Sequence, residues 1–143
     1  MQTAAAILLA TIFVFIALLH VYWVVGGKWG LNAAMPEVMK NHVMADYRRL
    51  GFKIATLFVV IGLSIVAYLY LIHADLVASP IPLEYLRYAS YAVIGIFSLR
   101  AIGDFKYVGF FKSVKVGEFA EKDSKYFSPL CLFIAVLGLI VVL

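Results

Sequence analysis

Four long apolar runs, separated by polar segments, set the pattern of this chain. The first runs from about Thr3 to Val25 and carries no charged side chain. The second covers about Ile54 to Ile72, the third about Tyr85 to Gly103 and the fourth about Ser128 to Leu143. About 20 helical residues cross a hydrocarbon core about 30 Å thick, so each run reads as a transmembrane helix, the fourth being short for the task. Ser128 as N-cap and Pro129 at the first helical position mark the expected start of the fourth. Between the second and third lies HADLVASPIPLE (His73 to Glu84), where Pro80 and Pro82 favour extended backbone. The predicted fold is all-α: a polytopic membrane protein, a four-transmembrane-helix bundle, forming a single membrane domain over residues 1–143.

The polar segments differ in charge. Gly26 to Lys53 holds Lys28, Lys40, Arg48, Arg49 and Lys53, while Asp104 to Phe127 holds Lys106, Lys112, Lys115, Lys122 and Lys125. The short middle connection has no Lys or Arg. Basic residues stay on the cytoplasmic side of an inner membrane, so both long loops are expected there and both termini outside. In the first loop, Pro36-Glu37 marks a helix start, and Met35, Met39, Val43 and Leu50 recur at roughly helical spacing. This predicts an interfacial amphipathic helix, with a cytoplasmic extension of the second span as the alternative.

Composition agrees with this picture: 65% of the 143 residues are hydrophobic and 14% charged, too little polar surface for a soluble domain of this size. The mean hydropathy is +1.01. The net charge of +4 follows the topology and calls for no nucleic-acid partner. A single cysteine, Cys131, excludes an internal disulfide and is read as a packing residue. No cleavable signal peptide is expected, because the first run has no basic flank and is too long.

The candidate chemistry lies near the basic side. In the first span, Thr3, Ala6, Ala10, Phe13, Ala17, His20 and Val24 form one stripe at a seven-residue repeat. Small residues let membrane helices approach, so this stripe is the expected packing face. His20 on it is either a hydrogen-bonded structural group or part of a site. It opens HVYWVVGGKWG (His20 to Gly30), where Tyr22, Trp23 and Trp29 also fit an interfacial aromatic belt. The second candidate is RAIGDFKYVGFFK (Arg100 to Lys112). Arg100 and Asp104, four apart, share a face if the helix continues. Arg100 either snorkels with Asp104 as partner, or joins Lys106 in binding an anionic group such as a lipid phosphate, with Tyr107 at the rim. Asp123, in EFAEKDSKYFSPLC (Glu118 to Cys131), is placed to approach the last helix or to pair with Lys106 or Arg100.

No carboxylate falls at mid-span, which argues against a small proton-coupled antiporter. His20, His42 and His73 are too scattered for bis-histidine haem, and neither a metal site nor another cofactor is expected. No HExxH, GxSxG or phosphate-binding glycine loop occurs.

At these segments the chain resembles an uncharacterised family of small bacterial integral membrane proteins, a domain of unknown function. The matching residues are His20, Tyr22, Trp23, Gly26, Gly27, Trp29, Gly30 and Pro36, then Arg100, Gly103, Asp104, Phe105, Tyr107, Gly109, Phe110 and Phe111. Phe119, Asp123, Ser128, Pro129, Leu130 and Cys131 follow. The resemblance implies a bacterial four-helix membrane protein and supplies no activity. Three functions stay open. The first is an accessory or binding protein that takes membrane lipid headgroups or a small amphiphile through His20, Tyr22, Trp23, Arg100, Asp104, Lys106, Tyr107 and Asp123. The second is an intramembrane enzyme using His20 as acid or base and Arg100 as an anion clamp. The third is a transporter or channel subunit, which would need a homo-oligomer or a membrane protein partner to enclose a path.

Overall fold

Residues 1–36 and 50–143 are described by a computed structural model of the chain. They form four helices and no strand: α1 (Gln2–Val24), α2 (Leu50–His73), α3 (Leu83–Ile102) and α4 (Glu118–Val142). The amphipathic helix expected in the first loop falls largely on 37–49, outside the described residues.

Of the four, α1, α2 and α4 are long and apolar enough to cross a membrane. The described residues are therefore all-helical, with three helices that could cross a membrane. Of the four spans expected, three have the length and apolarity to cross; α3 falls short because it carries Glu84, Arg87 and Arg100 among tyrosines and serines that lower its hydropathy. Outward faces are apolar: Phe15, Phe58, Ile96 and Leu99 are all more than half exposed. In water such a surface would aggregate, whereas lipid solvates it.

α1 packs along α2, α3 along α4, and the pairs are joined mainly where α1 meets α4. The expected small-residue stripe is the packing face in its middle, with Ala6, Ala10, Phe13 and Ala17 buried. It frays at the ends, where Thr3 is exposed and His20 and Val24 are half-buried. Phe13 ties three helices together: its ring stacks on Tyr70 of α2 at 5.9 Å and meets Phe97 of α3 edge-on at 5.3 Å. Gly138 lets α4 come close at the same level. A Cβ there would stand 2.7 Å from Ile94 Cγ1 and 3.1 Å from the Tyr70 hydroxyl oxygen. At the end of α2, His73 Nε2 lies 2.9 Å from Ser90 Oγ of α3, one of few links between these two helices.

The last helix departs from expectation at its start. Ser128 is not an N-cap, because the helix begins ten residues earlier at Glu118 and passes through a π-helical turn, Asp123–Phe127. There the Ser128 N–H bonds to the Asp123 carbonyl, five residues back. Pro129 has no N–H to give and crowds the carbonyl four residues before it. The wider turn absorbs that conflict, so the helix continues rather than starting afresh.

Candidate functional site

Gly103 ends α3 with a positive φ of 93° and turns the chain back on itself. Asp104 Oδ1 gathers the next amides, accepting from the N–H groups of Lys106 (2.9 Å), Tyr107 (2.7 Å) and Val108 (2.9 Å). These three amides, Val108 foremost, hold the Asp104 carboxyl below the usual carboxylate range. Gly109, also at positive φ, brings the returning strand of the loop against Gly103, with no room for a Cβ on either. Phe110 N–H then donates to the Ala101 carbonyl at 2.8 Å, satisfying an acceptor that the end of α3 leaves open.

This turn delivers Lys112 into the protein, where it meets Asp123. Asp123 is fully buried, and both of its oxygens are engaged. Oδ1 accepts from Arg100 Nη2 at 2.9 Å. Oδ2 accepts from Lys112 Nζ (2.9 Å), Gly109 N–H (2.8 Å) and Ser128 Oγ (3.1 Å). The π turn makes the last bond possible: in its five-residue register Asp123 and Ser128 face the same way. Lys112, itself buried, also donates to the Gly109 carbonyl and to Ser124 Oγ, so its three N–H donors are all used.

Arg100 is different. A third of its side chain remains exposed, and its Nη1, though buried, has no hydrogen-bond partner among the described residues. Two cations and one carboxylate leave the cluster with a surplus positive charge, carried at the one group that keeps a free donor.

The sequence-predicted residues fall into three sets. Arg100 and Asp123 come together. Asp104, Lys106 and Tyr107 form the adjoining turn, with Lys106 Nζ 5.2 Å from the centre of the Tyr107 ring. Asp104 serves backbone amides and is not the partner of Arg100, because Gly103 breaks the helix that would have put them on one face. His20, Tyr22 and Trp23 lie elsewhere, at the end of α1. The His20 Nδ1–H donates to the Ile16 carbonyl at 2.8 Å, and its ring meets that of Trp23 edge-on at 4.7 Å. Trp23 is buried and donates through Nε1 to the Trp29 carbonyl, packing with Leu31 and, on α2, Phe52. The Tyr22 ring covers Gly27. Among the described residues, no hydrogen bond, ion pair or ring contact joins this group to Arg100, Asp104 or Asp123.

Sequence reasoning missed Lys112, Gly109 and Ser128. Lys112 was indistinguishable from four other lysines of its loop, since no periodicity governs a turn. The pair Gly103 and Gly109 was the available signal, because two glycines six apart around an aspartate mark a chain that folds back.

The model of the family described as "Protein of unknown function (DUF3995)" matches residues 13–138, and the chain belongs to that family. No curated protein and no solved structure matched it.

Proposed function

We propose that this family member is a membrane-embedded binding protein that holds an anionic headgroup at its basic face, with Arg100 as the contact group. In this reading all four helices cross a bacterial inner membrane, α3 included. Its charges sit within its first two turns and its last, at the depth where snorkelling Arg and Glu reach the headgroups. The basic loops face the cytoplasm and the termini lie outside.

The observation that carries the reading is the state of Arg100. Asp123 fixes one edge of its guanidinium and Lys112 already neutralises that carboxylate, while the other edge keeps an unpaired donor. A planar cation held on one edge, with a third of its side chain exposed and a donor still unsatisfied, suits a phosphate or carboxylate. The enzyme reading has no comparable support, because His20 is engaged with its own helix.

The test is thermal unfolding in mild detergent with added phosphatidylglycerol or phosphatidylcholine. Wild-type protein is expected to gain stability with the anionic lipid alone. Arg100→Gln loses that gain and Arg100→Lys keeps part of it. A charge-assisted contact of about 1.5 kcal/mol corresponds to roughly tenfold in lipid affinity. An undiminished anionic-lipid gain in Arg100→Gln would rule the site out.

A further inference from the structure

The turn between α3 and α4 has a second face, and it is aromatic. Phe105, Phe110 and Phe111 are exposed there, and the Phe105 and Phe111 rings lie 6.4 Å apart as one patch. Lys106 and Lys115 flank them, also exposed. The inner side of the turn is pinned to the bundle by Lys112 on Asp123. Its end leads directly into α4, a helix long and apolar enough to cross a membrane. A short loop tied so closely to a span stays at the membrane surface.

Its backbone is also prepared for that place. Phe105 adopts a φ of 62°, a conformation that a bulky residue rarely takes. It is held there by bonds on both sides. The Asp104 carboxylate collects the amides that follow, and the Phe105 carbonyl accepts from the Ser113 N–H (3.1 Å) and Oγ (2.8 Å). Val114 N–H donates to the Lys106 carbonyl at 2.9 Å. The turn thus satisfies much of its own backbone, as chain entering a water-poor layer must. Aromatic rings favour the boundary between headgroups and acyl chains, and lysines beside them favour anionic lipid.

We infer that residues 105–116 form a preformed wedge that inserts Phe105, Phe110 and Phe111 into the headgroup–acyl boundary of an anionic bilayer. This requires α4 to cross that bilayer but not Arg100 to hold a headgroup, so the two readings fail separately.

The test uses full-length protein with Cys131→Ala, carrying Phe105→Cys, Phe111→Cys or Lys115→Cys one at a time. Each is labelled with a nitroxide and reconstituted in vesicles of phosphatidylcholine and phosphatidylglycerol. Labels at 105 and 111 are expected to be reached severalfold better by oxygen than by a water-soluble nickel complex, with the label at 115 showing the reverse. Adding Arg100→Gln leaves that depth unchanged. Nickel access at 105 and 111 equal to that at 115 would overturn the wedge. So would occlusion from both reagents, which would mean a protein partner covers the patch. The two phenylalanine positions report independently, so misfolding of one variant leaves the other to decide.

Discussion

Asp123 is the residue on which the basic end of the bundle turns. A buried carboxylate survives only when its oxygens are satisfied, and this one has Arg100, Lys112, Gly109 and Ser128. Asp123→Asn removes the charge that Lys112 was buried against, leaving an uncompensated ammonium. A loss of about 3–5 kcal/mol is expected, measured by chemical unfolding in detergent. Asp104 offers a milder test outside the spans. Its carboxyl titrates below its ordinary value because Val108, Lys106 and Tyr107 amides bond to the charged form. Its contribution to the turn is therefore fully present above the unfolded pKa and is lost as pH falls through the depressed folded value. Protection of the Lys106, Tyr107 and Val108 amides, measured relative to their intrinsic exchange rates at each pH, should be high at neutral pH and fall under acid, and in Asp104→Ala it should be low at both. Arg100, Asp104 and Asp123 were all visible as candidates in the sequence. Arg100 with Asp123 was among the pairings the sequence offered; Arg100 with Asp104 was the other, and it needs the helix to continue, whereas Gly103 ends it.

At the scale of elements, the apolar runs located α1, α2 and α3 to within a few residues. The small-residue stripe of α1 found its packing face from Ala6 to Ala17, because close helix approach is written locally in residue size. The start of α4 was not legible. A serine before a proline reads as a helix start, whereas here a π turn carries the helix past Pro129 and turns the Ser128 hydroxyl to Asp123. The same helix supplies a packing test. Gly138→Ala places a methyl 2.7 Å from Ile94 Cγ1, so the Ile94 side chain or the α3–α4 spacing must give. A cost of about 1–3 kcal/mol is expected in the same unfolding assay. A neutral or stabilising result would show that the α3–α4 contact is looser than described.

At the scale of the whole molecule, hydropathy and the placement of lysines predicted a membrane protein, and three of the helices have the length and apolarity for it. Hydropathy could not predict which polar residues meet, because that depends on a loop folding back across the end of α3 onto α4. The result is an asymmetric basic end, with an aromatic cluster closing α1 on α2 and a charged cluster closing α3 on α4. The proposed binding role rests on the second cluster alone. Native mass spectrometry of protein released from vesicles of equal phosphatidylglycerol and phosphatidylcholine tests it most directly, with inorganic phosphate added in a parallel arm. Wild-type protein should retain phosphatidylglycerol, Arg100→Gln about tenfold less, and phosphate should displace the lipid if the phosphate group is what Arg100 holds. Equal retention of phosphatidylglycerol by wild type and Arg100→Gln would contradict the account.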